Sequence, residues 1–396
     1  MRLFTIPTNR PCLEGAVSYV EDIKRIEKKY SEEFKFLILG NGPDAVEDKN
    51  IEDFKNWNET SDFKISYIPK KVQKEWVNKL IERSNSDKKE DLKRILEPEE
   101  TIINYGAILN KTFLIAEALN AKSIHRRDSD TKNPKFFEKF SPLEYEIKYL
   151  GKRYCDCKEL NFDSNKEIYF VGGNYSGEWA GDFSALYKKD PRLLYRHVAL
   201  NFPGRPLSEI EELSEKRYGN IDKENVKEVP VKLVMDRMIE LGNCGFYKIY
   251  KRYPVSPASQ TMATDYFIHD LMFNSNLPNV YHNVRVEHFH TKERQNDEWF
   301  YSYHLRSARY KVYNRFMIKF FKAYKESYNN KEFLSGKELS KIMKNEFKNW
   351  NYEEEGKYVL KELASIFIDS EIPEYVELSK RISANLDMLL IPWWSL

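Results

Sequence analysis

Asp128 and Asp130 stand one residue apart in the stretch SIHRRDSDT, residues 123–131. Alternate residues of an extended chain project to one side, so a turn at its end can bring both carboxylates to one divalent cation. Hard oxygen ligands select Mg²⁺ or Mn²⁺, and such an ion takes further oxygens from a substrate, typically a diphosphate. Aspartates at this spacing also serve as solvated turn residues or helix caps, and the pair alone leaves that alternative open. Arg126 and Arg127, directly before them, are a poor choice for an ordinary buried strand because unpaired buried charge is costly. Either the aspartates compensate them or a phosphate does, gripped by the guanidinium forks.

Other residues could join that chemistry. In EHFHTKER, His288 and His290 alternate on a strand and face one side, where an imidazole can complete a metal's coordination and Lys292 or Arg294 can meet phosphate. The alternative is one hydrogen-bonded core histidine and one solvated histidine. Asp265, in ATDYFIHD after the loop PVSPASQT, is either a helix N-cap or a general base. The segment GGNYSGEWAGD carries Asn174, Tyr175, Glu178, Trp179 and Asp182, rings and polar groups of the kind that contact a sugar, although Trp179 would serve equally as core. Its glycines match neither a P-loop nor the dinucleotide fingerprint. Cys155 and Cys157 could be half a zinc site, but no second pair completes it.

These residues need elements to position them. RLFTIPT, FKFLILG and FKISYIP read as strands, and EGAVSYVEDIKRIEKKY as a helix between the first two. A further helix across YGAILNKTFLIAEALN precedes the strand that ends on the aspartates, with Gly106 and Asn110 one turn apart on one face. This alternation predicts an α/β fold with a mixed, mostly parallel sheet flanked by helices. In such sheets ligands bind beyond the carboxyl ends of the strands, where Asp128 and Asp130 lie. KEIYFVGG and VYHNVRVEHFH read as later strands, TDYFIHDLMF as a helix, and everything from about residue 296 as helical. The expected organisation is 1–130 as a nucleotide-sugar-binding half, 131–295 as an acceptor-binding half of the same domain, and 296–396 as a C-terminal helical extension.

Composition narrows the classes. Among 396 residues, 64 Lys and Arg nearly cancel 62 Asp and Glu, so the net charge of +2 gives no general attraction for nucleic acid or an anionic membrane. Any anion must meet a local site. Four cysteines are too few and scattered for a disulfide framework, and no run resembles a signal peptide or a membrane span, which together predict a cytoplasmic protein.

The block YGAILNKTFLIAEALNAKSIHRRDSD resembles the helix, strand and D-x-D block of GT-A type glycosyltransferases. TD at 264–265 and HFH at 288–290 follow in the order of that family's later catalytic and metal-binding elements. The chain is particularly similar to a bacterial group of predicted nucleotide-sugar transferases that opens on a TIPTNRP-like strand and carries HRRDSD. The resemblance spans about residues 1–295 and implies a GT-A-like, Rossmann-like fold. It implies that Asp130 binds Mn²⁺ or Mg²⁺, with Asp128 near the metal or ribose and His288 or His290 completing the site. Asp265 would be the base that deprotonates an acceptor, and Thr8, Asn9 and Arg10 would line the nucleotide pocket, with Gly106, Asn110, Arg126 and Arg127 on the donor side. Typical members have an apolar strand where this chain has HRR. The implied partners are a nucleotide-diphosphate sugar and a small-molecule or glycan acceptor, without nucleic acid.

Three other readings are compatible with parts of the chain. A sugar-nucleotide nucleotidyltransferase would share the aspartates but should open on a glycine-rich loop, which LFTIPTNRPCLEG lacks. A metal-dependent hydrolase would want more histidines than these seven dispersed ones. A non-catalytic interaction protein would use the helix around residues 299–325, where Tyr313, Phe316, Phe320 and Tyr324 form an aromatic stripe beside basic residues. Packing of that stripe on the main domain, or on a second subunit in a homodimer, is the expectation here, rather than membrane association.

Overall fold

The computed structural model describes residues 1–359 apart from 85, 99–103, 136, 161–163, 178–182, 219–230, 235–238, 256–260, 276, 278, 290–296, 329–332 and 352. Eleven strands are placed: β1 Arg2–Thr8, β2 Phe34–Gly40, β3 Ile65–Ile68, β4 Ser123–Arg127, β5 Thr131–Lys132, β6 Phe170–Gly172, β7 Tyr175–Gly177, β8 Val231–Val234, β9 Asn243–Tyr247, β10 Asn279–His282 and β11 Val286–His288. Eight form one sheet in the order β3-β2-β1-β4-β9-β6-β10-β8, and β5-β11-β7 form a small second sheet. Pairing is parallel from β3 through β4 and between β6 and β10. It is antiparallel on both sides of β9 and at β8. This is the expected mixed α/β architecture.

The sequence alternation of β1 and β2 decides which side chains face which layer. Phe4, Ile6, Phe36 and Ile38 meet Ile23 and Ile26 of the helix Val20–Tyr30 and Leu143 and Ile147 of the helix Pro142–Tyr149. Leu3, Leu37, Leu39 and Ile124 turn the other way, into the cluster of Phe113 from the helix Tyr105–Ala118 and Leu271 from the helix Phe267–Asn274. Covered on both faces, these strands read as nearly continuous apolar runs. Each fully buried Leu, Ile or Phe contributes roughly 1.5–3 kcal/mol of transfer free energy.

The helix Asp297–Ser327 belongs to this second layer. Tyr313, Phe316, Phe320 and Tyr324 are buried in the same cluster as Phe246 and Leu271, with Phe267 stacked 6.3 Å from Phe320. The aromatic stripe is therefore committed to the core and is not free to meet a membrane.

Local departures from the sequence expectations have identifiable causes. The single helix expected over residues 14–30 is two, Leu13–Val17 and Val20–Tyr30, because Ser18 Oγ donates to the Gly15 carbonyl at 2.6 Å and accepts from Asn133 N–H at 3.0 Å. The strand expected over VYHNVRVEHFH is split between the two sheets as β10 and β11. Asn243 Nδ2 holds the link by donating to the carbonyl of Val284 at 3.1 Å.

Candidate active site

The carboxyl ends of β1, β4, β6 and β10 and the amino end of the reversed strand β9 meet at one edge of the main sheet. There Arg127 pairs with Asn243, and Gly172 with Cys244. Beyond β4 the chain turns at Asp128, whose carbonyl accepts from Thr131 N–H at 3.2 Å and Thr131 Oγ1 at 2.8 Å. Thr131 and Lys132 then pair with β11, and Phe289 N–H donates to the Asp130 carbonyl at 2.9 Å, which brings the histidine strand against the aspartate turn. On the other side β11 pairs with β7, with Gly177 opposite His288. Gly177 has a φ of +92°, and a Cβ there would collide with the His288 carbonyl, so only glycine fits beside that histidine.

Asp130 is 6 % exposed, and two partners share its Oδ2: Arg10 Nη1 at 2.9 Å and His288 Nε2 at 3.2 Å. Burial disfavours its charge, but Arg10 and His288 outweigh that, and the carboxyl is held below the usual aspartate range. Arg10 is aimed by its own neighbours. Asn9 Oδ1 accepts from Arg10 Nε at 3.2 Å and Nη2 at 3.0 Å, and Thr8 Oγ1 closes the turn with the Arg10 carbonyl at 2.8 Å. Thr8, Asn9 and Arg10 thus form one unit at the end of β1 that reaches the D-x-D turn.

A second chain of charges runs beside the first. Arg126 donates to Asp265 Oδ2 at 2.6 Å and to Asp128 Oδ1 at 3.3 Å, and Tyr175 Oη donates to Asp128 Oδ2 at 2.6 Å while accepting from Gly242 N–H at 2.9 Å. A Cβ on Gly242 would collide with both the Tyr175 hydroxyl and the Asp128 carboxylate, so glycine leaves room for their contact. Burial raises the Asp265 pKa above its ordinary value, with Arg126 opposing. Burial likewise carries the Tyr175 phenol well above its ordinary value, helped by the adjacent Asp128 charge. Asp265 lies in the short turn Thr264–Tyr266, entered through Ala263 at φ +57°, and the helix Phe267–Asn274 that follows has no side-chain cap. The capping alternative for Asp265 is thereby removed.

Two residues placed on the donor side by the sequence reading lie elsewhere. Strand alternation turns Arg127 to the opposite face from Arg126, where it is 1 % exposed. Its Nη1 lies 2.9 Å from Glu146 Oε1, an ion pair outside hydrogen-bond angle, and its guanidinium stands 5.5 Å over the Phe4 ring. Asn110 is buried on the helix Tyr105–Ala118 and exchanges two hydrogen bonds with the Val255 backbone, at 2.9 and 2.7 Å. It fastens a loop, and Gly106 is buried in the first turn of the same helix. Asn174 lies between β6 and β7, next to Tyr175, and its carbonyl accepts from Asn243 Nδ2 at 3.0 Å. Glu178, Trp179, Asp182 and His290 lie outside the described residues.

The face that holds Arg127 also carries a Ser–His–Glu arrangement. His125 Nδ1 is 2.6 Å from Glu146 Oε2, and Nε2 is 2.8 Å from Ser123 Oγ, which also accepts from Arg2 Nη1 at 2.8 Å. Ser123, His125 and Glu146 are all fully buried, so no substrate reaches them, and burial lowers the His125 pKa. This is a core network that fixes β4 to the helix Pro142–Tyr149.

The residue pattern placed Tyr175 in the sugar-contacting segment but did not foresee its contact with Asp128, because nothing local pairs it with a residue 47 positions earlier.

A family model matches residues 2–340. The chain belongs to DUF6271, a family of unknown function. No curated protein matches it. Among solved structures, this DUF6271 member is similar to a glucosyl-3-phosphoglycerate synthase from Mycobacterium tuberculosis, solved with Mn²⁺, UDP and phosphoglyceric acid. The identity is 11 %, over 78 % of this chain and 76 % of that one, with a TM-score of 0.39. It is also similar to a mannosyltransferase from Pyrobaculum calidifontis, solved with GDP-Man and Mn²⁺, at 11 % identity over 100 % and 83 % of the two chains and a TM-score of 0.39. Overlap that loose carries neither activity nor ligand across to this chain.

Among the described residues no three His, Cys, Asp or Glu side chains surround one point as a ready cation site. The donor set nevertheless fits a hard divalent ion. Asp130 is held ionised, as a ligand must be. His288 Nε2 stands 3.2 Å from the same carboxylate, so an imidazole is at hand beside it. Arg10 supplies the positive charge at Asp130 in this structure.

Proposed function

We propose that this DUF6271 chain is a glycosyltransferase that moves a sugar from a nucleotide-diphosphate sugar to a hydroxyl- or amine-bearing acceptor, using Mn²⁺ or Mg²⁺. The observation that carries the reading is the convergence of Asp128, Asp130, Arg10, Arg126, His288 and Asp265 beyond the strand ends, in two adjoining ion-pair chains. Carboxylates for a cation, guanidiniums for phosphate and a further buried carboxylate are the parts that transfer from a diphosphate requires.

Asp130, Asp128 and His288 would hold the ion, with His290 as a further candidate ligand. When bound, the ion would supply Lewis-acid stabilisation of the departing diphosphate, worth several kcal/mol. Arg10, released from Asp130, is placed to hold a phosphate oxygen. Asp265 takes the acceptor proton as the acceptor oxygen bonds to the anomeric carbon and the bond from that carbon to the diphosphate breaks, which inverts the centre. Burial raises the basicity of Asp265, and Arg126, shared with Asp128, tempers it. General-base assistance of this kind is worth about 10²- to 10⁴-fold.

Calorimetric titration with UDP, GDP, CDP and dTDP, each with and without Mn²⁺, tests the proposal on the wild type and on Asp130→Ala. The expected result is metal-dependent binding of one nucleotide, weakened at least about a hundredfold in the variant, as for loss of a charged ligand. Binding of none of the four, or binding indifferent to Mn²⁺ and to Asp130, would overturn it.

A further inference from the structure

Far along the chain from these aspartates, the helix Gly336–Lys348 presents two opposed faces. Leu339 is buried, and Ile342, Met343 and Phe347 pack on the main core, with Phe347 6.0 Å from Phe316. Lys337, Lys341, Lys344 and Lys348 recur at intervals of four, three and four and are exposed. At 100° per residue they fall within an arc of about 60°, along about 16 Å of helix. Lys88, at the start of the helix Lys89–Leu96, joins them in lining an open groove of about 520 Å³. One glycine, one serine and one asparagine complete the lining.

Among the described residues no carboxylate forms an ion pair with any of these five lysines, whereas Lys111, Lys251, Lys319 and Lys357 each have one. Lysines at i and i+4 repel, so the pairs Lys337 with Lys341 and Lys344 with Lys348 cost the helix stability, and no carboxylate among the described residues offsets it. In a protein of net charge +2 this is a local concentration of positive charge, not a share of a general excess.

We propose that the groove binds a flexible chain of linked phosphates without bases. Lysine is a compact point charge that meets phosphate without demanding planar geometry, and four in file suit a regularly charged linear anion. A single-stranded nucleic acid site would add aromatic platforms for the bases, and the lining has none. A bilayer surface would ask for apolar side chains to insert beside the lysines, and these too are missing from the lining. The inference does not depend on the transferase reading, because it concerns binding at a separate groove.

The test is fluorescence anisotropy on the full chain with inorganic polyphosphate and, separately, a poly(glycerol phosphate) oligomer. A poly(dT) oligonucleotide and vesicles of mixed neutral and anionic phospholipid serve as competitors. The expected result is binding whose log–log salt slope is about −3, for four phosphate contacts. The variant Lys337→Gln/Lys341→Gln/Lys344→Gln/Lys348→Gln should bind at least roughly tenfold more weakly with an unchanged or higher Tm, while the four corresponding Lys→Arg changes retain binding. Which of the two phosphate chains binds more tightly identifies the linkage. Equal binding by the glutamine variant, or stronger competition by the oligonucleotide or the vesicles than by unlabelled polyphosphate, would refute the proposal.

Discussion

At the residue scale, Tyr175 makes the most informative contacts. Its hydroxyl touches Asp128 and Gly242 N–H, and its ring lies 5.2 Å from that of His288, so one side chain braces both ion-pair chains. Removing the hydroxyl leaves the buried N–H of Gly242 without that acceptor and lets Asp128 turn. Tyr175→Phe should therefore cost about 1–3 kcal/mol in urea unfolding, within the range for a hydrogen bond to a charged group. Nucleotide affinity in Mn²⁺ should fall roughly tenfold, equivalent to about 1.4 kcal/mol. A variant with weakened stability and intact metal-dependent binding would restrict Tyr175 to a structural role. His288→Gln separates the two arms, since it removes the imidazole but spares the phenol.

At the element scale, β4 divides its residues between two tasks: Arg126 faces the site, while Ser123, His125 and Arg127 fasten the strand to the helix Pro142–Tyr149 through Glu146. Removing one member of a buried pair leaves its partner's charge uncompensated, at a cost of about 3–5 kcal/mol, whereas removing both is far milder. Arg127→Met should show the large loss, and Arg127→Met/Glu146→Leu should recover part of it, the rest being held back because His125 Nδ1 loses Glu146. Chemical denaturation of both decides it, and equal losses would show that Glu146 is not the partner that matters. This strand also marks what the sequence could disclose. The charge in HRRDSD marked a cluster of ion pairs, and the alternation of strands and helices over the first 130 residues announced the α/β sheet that places it. The division between Arg126 and Arg127 follows from strand alternation, but which of the two joins the aspartates depends on Glu146 and Asp265, 20 and 139 residues away from Arg126. The antiparallel insertion of β9 and the split of the later histidine strand were likewise hidden, because both depend on partners chosen in three dimensions. No local pattern in NCGFY reveals that its neighbours are β4 and β6.

At the scale of the whole molecule, near-neutral net charge hides a concentration of ionisable groups inside the fold, and acid should find them. His282 is buried with its ring 5.5 Å from that of Tyr145, and burial pulls its pKa down to about 4 from 6.5. Burial lowers the His125 pKa as well. A histidine whose folded pKa is depressed favours the native state only while neutral. Between pH 6.5 and about 4 the unfolded chain takes up the proton and the folded chain does not, so stability falls as pH falls across that window and is insensitive to these groups above it. For His282 the loss at pH 4 is about 3 kcal/mol. Asp265, whose pKa is raised, acts in the opposite sense in acid, while Asp130 and Glu146, held low, begin to add their own losses as pH falls into the usual carboxylate range, where the unfolded chain takes up their protons. The histidine contribution can be isolated by difference. Urea unfolding of the wild type and of His282→Asn at pH 7, 5.5 and 4 should give curves that converge as pH drops, the variant losing about 3 kcal/mol less than the wild type. Parallel pH profiles would mean that His282 accepts a proton in the folded state, and that the buried face of β4 tolerates a third cation beside Arg127 and Arg2.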